Sequence, residues 1–220
     1  MEIYIADNNI LKNSKLFSQA IQLLPERRQK KLKSGTAEKT RMQSAGAGLL
    51  LDYILKKHEI YGENAEIYTN GYGKPYLRSG LLYFNLSHSG EYILCAVDKN
   101  ELGADIQKSN ICHMDLAKRF LHTDEYDYLI GLPTEKQTEA FFRIWTLKES
   151  YIKALGRGIA GMLDTFAIKI LADGAAAYQE NKLLPYQFIE YEFTEYHIAV
   201  CTTGITSKPA LQQVDFADLY

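Results

Sequence analysis

Trp145-Thr146-Leu147-Lys148-Glu149-Ser150-Tyr151-Ile152-Lys153-Ala154-Leu155-Gly156 is the stretch from which the rest of the chain can be read. It forms the second half of a predicted helix that opens near Thr134. Thr134 and Gln137 have the S/T-x-x-E/Q spacing of a capping box, and Gly156 supplies the C-terminal stop. On a helical projection Phe141, Ile144, Trp145, Ile152 and Leu155 form one apolar arc, with Lys148 in its middle and Glu149 and Lys153 on its edge. An ammonium inside such an arc must either snorkel to water or meet a buried anion. Glu149 and Lys153 are four apart, close enough to share one ligand. The same spacing also describes an ordinary surface pair worth a few tenths of a kcal/mol.

A chain of 220 residues, 46% apolar and 24% charged, can bury a core as one domain or as two half-sized units packed together. The formal net charge of -2 argues against a general nucleic-acid binder. Charge is unevenly placed, however. Residues 27 to 41 hold seven basic side chains (Arg27, Arg28, Lys30, Lys31, Lys33, Lys39, Arg41) against one acid, Glu38. This is either a solvated helix face or a footprint for a phosphate-bearing ligand. Cys95, Cys112 and Cys201 are far apart, odd in number and without metal-ligand spacing, which points to reduced thiols and a cytoplasmic protein. No basic region followed by an apolar stretch opens the chain and no apolar run approaches membrane-spanning length, so no export and no membrane partner are expected.

Along the chain, Glu2 to Ala6 reads as a strand, residues 14 to 24 as a helix, and Pro25 restarts a helix. A longer helix runs from about Thr36 to His58, with a small-residue patch at Ser44-Ala45-Gly46-Ala47-Gly48. Gly71 to Pro75 is a turn. Leu81 to Leu86, Tyr92 to Asp98 and Leu102 to Ile106 are strand-like, separated by Ser87-His88-Ser89-Gly90 and Lys99-Asn100. Helices are predicted over about 112 to 131 and 134 to 155, then strands over Phe166 to Leu171, Tyr186 to Phe193 and Tyr196 to Thr202. With a seam near Gly103, the two halves have similar content. The expected fold is α+β, a pseudo-two-fold pair of similar halves, 1–102 and 103–220.

Asp105 is an acid in an otherwise apolar strand, where an unpaired charge would cost several kcal/mol. It is either one end of a structural salt bridge or, together with Glu149, a carboxylate for Mg²⁺, which is typically held by one or two carboxylates with waters and substrate phosphates. His88 enters a small-residue turn and is either a satisfied structural histidine or, with the turn's N–H groups, a holder of phosphate oxygens. Lys74, followed by Pro75, offers another cation.

Gly73-Lys74-Pro75, Phe84-Asn85-Leu86-Ser87-His88-Ser89, Gly103-Ala104-Asp105-Ile106 and Trp145-x-x-Lys148-Glu149-Ser150-x-x-Lys153 resemble, in order and spacing, the motifs of the 4'-phosphopantetheinyl transferases of the surfactin-synthetase-activator (Sfp) type. The likeness spans roughly residues 25 to 205. It implies transfer of the phosphopantetheine arm of coenzyme A to a serine of an acyl or peptidyl carrier protein, an enzyme of the holo-[acyl-carrier-protein] synthase type. Adenosine 3',5'-bisphosphate leaves, and Mg²⁺ binds at the pyrophosphate. By the same resemblance the active site lies between the halves, the first carrying nucleotide-binding elements and the second the metal strand and catalytic helix.

Asp105 and Glu149 resemble the metal-binding carboxylates, and Glu149 also resembles the residue that helps deprotonate the serine. Lys153 resembles the lysine on the bridging phosphates. Arg27, Lys30, Ser44, Lys74, Pro75, Ser87 and His88 resemble positions that hold coenzyme A, and the inward Lys148 is assigned to the same ligand. The chain departs from the type at Gln107, where a second acid is usual. Weaker Mg²⁺ affinity is expected there, with Gln107 offering a neutral oxygen from the same strand face. A coenzyme A or carrier-binding module weakened in catalysis is the alternative reading, and a self-sufficient monomer is the expected state. Ile111, Met114, Lys118, Phe120 and Arg157 are candidate carrier contacts.

Overall fold

The computed structural model describes the chain except for residues 34–36, 112–113, 159–161, 205–206 and 220, and the side chains of residues 27, 31, 33, 218 and 219. The first half contains β1 (Glu2–Asp7), α1 (Ser14–Leu23), α2 (Glu26–Lys33), α3 (Glu38–Lys57), a small hairpin of β2 (Ile67–Thr69) and β3 (Pro75–Leu77), then β4 (Tyr83–Ser89) and β5 (Tyr92–Asp98). The second contains β6 (Leu102–Lys108), α4 (Met114–Phe120), α5 (Thr123–Ile130), α6 (Thr134–Leu155), β7 (Ala167–Leu171), β8 (Gly174–Gln179), β9 (Lys182–Leu183), β10 (Gln187–Phe193), β11 (Tyr196–Thr202) and β12 (Leu211–Val214).

The expected duplication is present in the strand order. In the first half the opening strand β1 pairs antiparallel with the last strand, β5, which pairs antiparallel with β4. In the second half β6 pairs in the same way with β11, and β11 with β10. Ile3, Ile5, Leu94 and Ala96 of the first sheet pack against Leu102, Ala104, Ile106, Ile198 and Val200 of the second. The alternate residues face outward, Tyr4, Ala6, Cys95 and Val97 toward Leu50 and Ile54 of α3. Ala199 and Cys201 turn toward Leu147, Tyr151 and Ile152 of α6. The period of two along each strand thus builds four layers, helix, sheet, sheet, helix. β12 then returns to pair parallel with β1 at the edge of the first sheet.

β6 is an edge strand whose second edge faces β4, and side chains rather than a backbone ladder satisfy it. The N–H groups of Ala104, Ile106 and Lys108 donate to Asn85 Oδ1 (2.9 Å), Ser87 Oγ (3.4 Å) and Ser89 Oγ (2.9 Å). The carbonyls of Leu102 and Ala104 accept from Lys74 Nζ (3.1 Å) and Lys153 Nζ (3.2 Å). Buried backbone polar groups need such partners, so the alternation Asn85-x-Ser87-x-Ser89 joins the halves.

Several boundaries differ from the sequence reading. Ser87 to Ser89 belong to β4, paired with Leu94 to Tyr92, and the turn comes only at Gly90, so these residues do not form the expected anion-holding turn. The helix expected over 112–131 is two helices, because the His122 side chain caps a fresh start at Thr123 while Glu125 closes the capping box; residues 112–113 lie outside the described residues. α6 begins at Thr134 as expected, but the predicted Thr134 box does not form. Pro133 occupies the N-cap, and Gln137 Nε2 donates to the Leu132 carbonyl instead. At the other end Gly156 adopts the left-handed conformation, φ 65°, that a helix-terminating glycine supplies at little cost. The start of α3 expected at Thr36 lies outside the described residues.

Candidate active site

Gly103 lets two elements meet. A Cβ built there would lie 2.1 Å from the Ser150 carbonyl oxygen and 2.2 Å from the Ala154 nitrogen, so the backbone of α6 rests directly on β6. The contact sets the last two turns of α6 over the strand face that carries Asp105 and Gln107.

Asp105 is 1% exposed and its carboxylate accepts three hydrogen bonds. Oδ1 accepts from Lys153 Nζ at 2.6 Å and from Ser87 Oγ at 2.7 Å, and Oδ2 accepts from the Gln107 amide at 2.9 Å. Lys153 Nζ also donates to Ser87 Oγ at 2.9 Å. One cation from α6 therefore bridges β4 and β6, and the acid in the apolar strand has the partner its burial demands. Lys153 keeps 26% of its side chain exposed, so the ammonium can reach a ligand above the cluster.

Glu149, one turn earlier, is 6% exposed. Its carboxyl is pushed up to about 7, first by burial and then by the Asp105 charge, with Lys153 opposing. Lys153 pairs with Asp105, and Glu149 feels both charges without an ion pair of its own, an arrangement short of positive charge. His88 projects from β4 on the exposed side of the same cluster. Desolvation by the surrounding walls and then Lys153 push its imidazole below the ordinary range, with Lys39 adding to the effect and Asp105 opposing.

The remaining expected site residues are engaged as follows. Lys148 is fully buried and points to the opposite side of α6. Its Nζ donates to both Glu125 carboxylate oxygens at 2.7 Å and to the Phe166 carbonyl at 2.8 Å, and it lies 4.1 Å from the Phe166 ring centroid. All three donors are used, so the lysine in the apolar arc meets a buried anion of the protein. Lys74 Nζ is likewise turned inward, onto the carbonyls of Leu102 and of Ala154 at 3.0 Å, where it caps the end of α6. Ser87 is occupied by Asp105 and Lys153. Lys30 forms an i,i+4 pair with Glu26 on the solvent face of α2, 2.7 Å apart and 74% exposed. Ser44 is half-buried on α3, Pro75 opens β3 opposite Thr69, and the side chain of Arg27 lies outside the described residues.

Four contributors escaped the sequence reading. Glu125 had a signal in the His122-x-x-Glu125 spacing, and Asn85 and Ser89 in the polar alternation of β4. Asn70 had none: its amide donates to the Gly156 carbonyl at 2.8 Å and its Oδ1 accepts from the N–H groups of Tyr72 and Lys74, docking the 70–74 loop onto the end of α6.

Among the described residues no group of three or more His, Cys, Asp and Glu side chains could cage a metal. The donors at hand are two carboxylates and the Gln107 amide, all hard oxygen ligands and fewer than an octahedron needs. That set fits Mg²⁺, which keeps waters and takes the rest from substrate phosphates. It does not fit a soft or fully caged metal.

Residues 101–201 match the family model of the 4'-phosphopantetheinyl transferase superfamily. The chain belongs to this superfamily of transferase enzymes. It is 35% identical over 187 residues to the 4'-phosphopantetheinyl transferase psf-1 of Bacillus pumilus, covering 81% of this chain and 78% of that one. The transferase gsp of Aneurinibacillus migulanus is 33% identical over 162 residues, 74% and 68% of the two chains. Sfp of Bacillus subtilis (strain 168) is 29% identical over 198 residues, 89% and 88%. A solved holo-(acyl-carrier-protein) synthase from Bacillus anthracis str. Ames, 21% identical, covers 46% of this chain and 92% of its own with a TM-score of 0.39.

Proposed function

We propose that this transferase moves the 4'-phosphopantetheine arm of coenzyme A to a serine hydroxyl of an acyl or peptidyl carrier protein. The observation that carries this reading is the joint placement of Asp105, Glu149 and Lys153 where α6 rests on β6. The serine Oγ forms a bond to the phosphorus that carries the arm. The pyrophosphate P–O bond breaks, and its electron pair leaves with adenosine 3',5'-bisphosphate. Glu149, its carboxyl raised to about 7, is placed to take the serine proton. Lys153 neutralises charge on the phosphates during transfer. Asp105 and Glu149, with the Gln107 oxygen, would hold Mg²⁺, which when bound supplies further charge neutralisation at the pyrophosphate.

In this reading His88, Ser44 and Lys30 would face the nucleotide, and Arg27 is assigned to it by resemblance alone. In this reading Pro75 and Lys74 shape the loop that caps α6. The division at 102/103 assigns the nucleotide side to the first half and the metal strand to the second. Both walls of the site come from one chain, so a monomer suffices. Buried thiols at Cys95 and Cys201 suit a cytoplasmic protein, and no helix among the described residues is long and apolar enough to cross a membrane. For carrier docking we favour the segment around α4: Ile111, which precedes the helix, is 81% exposed, and Lys118 on the helix offers a charge for an acidic partner.

Incubation with coenzyme A, Mg²⁺ and an apo carrier, read by mass spectrometry of the carrier, tests the proposal. A mass gain of one phosphopantetheine is expected, and no gain across several carriers would remove it. The retained carboxylate pair disfavours a passive binding module, which has no use for it.

A further inference from the structure

The lysine assigned to the phosphates stands at the end of a helix. Lys153 is the third residue from the C-terminal end of α6, in the turn whose carbonyl groups have no partner inside the helix. Such ends open first, at little cost in free energy, while the interior stays closed. The 2.6 Å contact of Lys153 with Asp105 therefore depends on what holds this turn from outside. The backbone contact with Gly103 braces one side of it, and carbonyls at its end are held by the loop between β2 and β3.

Asn70 opens that loop and divides its side-chain amide between two tasks. Oδ1 accepts from the N–H groups of Tyr72 and Lys74, both at 3.0 Å. Two backbone bonds of 3.0 Å, from the Asn70 N–H to the Lys74 carbonyl and from the Gly73 N–H to the Asn70 carbonyl, complete a closed turn. Nδ2 leaves the loop and donates to the Gly156 carbonyl at 2.8 Å. The same loop sends Lys74 Nζ to the Ala154 carbonyl at 3.0 Å, so the carbonyls on either side of Leu155 are both held. The fit is close. A Cβ built on Gly156 would lie 3.0 Å from Lys74 Cδ and from Tyr76 Oη, and 3.3 Å from Asn70 Nδ2.

We infer that Asn70 is a positioning residue for the transfer. By holding the Gly156 carbonyl it keeps the last turn of α6 closed and Lys153 in register with Asp105, without touching a reacting atom. A displacement of about 1 Å at a group that neutralises developing charge can cost about a hundredfold in rate. One side chain thus couples a loop of the first half to the helix that carries Glu149 and Lys153. The inference rests on the transferase reading and adds to it a residue outside the Asp105, Glu149 and Lys153 cluster.

Asn70→Asp separates the two tasks, because it keeps the acceptor for Tyr72 and Lys74 and sets an oxygen against the Gly156 carbonyl. In the folded variant kcat for carrier modification should fall by about tenfold or more, and KM for coenzyme A should stay within about twofold. A contact that served stability alone would lower the melting temperature and leave kcat per folded molecule unchanged. In wild-type protein the Gly156 amide, which donates to the Ile152 carbonyl at 3.0 Å, should exchange its hydrogen about a hundredfold or more slowly than in an unstructured chain. Wild-type kcat in Asn70→Asp, a loss confined to KM, or exchange of the Gly156 amide at the unprotected rate would overturn the inference while leaving carrier modification intact. Absence of carrier modification by the wild-type protein would instead remove the transferase reading, and this role for Asn70 with it. The exchange measurement needs no variant, so misfolding of Asn70→Asp does not affect it.

Discussion

Lys153 Nζ lies 2.6 Å from Asp105 Oδ1, tying two residues 48 apart in sequence across the contact between α6 and β6. The pair joins the helix to the edge strand and sets the charge of the site. Removing Lys153 strands a buried carboxylate beside Glu149. Lys153→Ala should therefore lose about 3 kcal/mol or more of stability in chemical denaturation. Among molecules that remain folded, turnover should fall by about a hundredfold or more. Asp105→Asn should abolish the Mg²⁺ dependence of whatever activity remains. A Lys153→Ala enzyme of normal turnover would refute the assigned role.

The same crossing depends on an absent side chain. Gly103→Ala places a methyl group against the backbone of Ser150 and Ala154, which cannot yield as a flexible side chain would. We expect a loss of about 1–3 kcal/mol from overpacking and a larger loss of activity, as α6 lifts from Asp105. Thermal melts and carrier modification, measured together, check this.

Glu149 makes stability depend on pH in a definite direction. Its carboxyl rises from 4.5 in the unfolded chain to about 7 in the folded one, so between these values the folded state binds more protons. The group's contribution is full below pH 4.5, is lost as pH rises through about 7, and amounts to roughly 2–3 kcal/mol. Glu149→Gln should remove that fall when melts are compared in EDTA at pH 5 and pH 8. Adding Mg²⁺ at pH 8 should raise the wild-type melting temperature and leave the variant's unchanged.

Gln107 donates to Asp105 where an acid would contribute a second charge to the metal. Gln107→Glu should lower the Mg²⁺ concentration for half-maximal activity by about tenfold. A titration no tighter than wild type would show that this position does not set metal affinity.

Lys148 and Glu125 form a buried pair, and each protects the other. Lys148→Met or Glu125→Gln alone should cost about 3–5 kcal/mol, and the double change Lys148→Met with Glu125→Leu should recover most of it. The Michaelis constant for coenzyme A should stay near wild type in folded protein. A selective rise in that constant would return Lys148 to the nucleotide site.

Much of this architecture was legible before any coordinates. Apolar alternation marked Leu102 to Ile106 as a strand with one misplaced acid, and Gly156 marked the end of α6, because local periodicity and glycine geometry operate over a few residues. The capping box at His122 and Glu125 could have been read in the same way. Asn70, by contrast, docks on a carbonyl 86 residues away, and no local pattern announces such a partner.

The sequence alone determined the element types, the two similar halves, the family motifs and the need for a counter-ion at Asp105 and at Lys148. Only the tertiary structure decided which ion answered which. α6 is buried between a sheet on one side and α5 with β7 on the other, so helical spacing could place Lys148 and Lys153 on different faces but could not say what covered each face. The packing turned Lys148 to Glu125 and Lys153 to Asp105. The reason is that a helix carries its own periodicity, whereas the partner opposite each face comes from strands and helices brought together by long-range contacts.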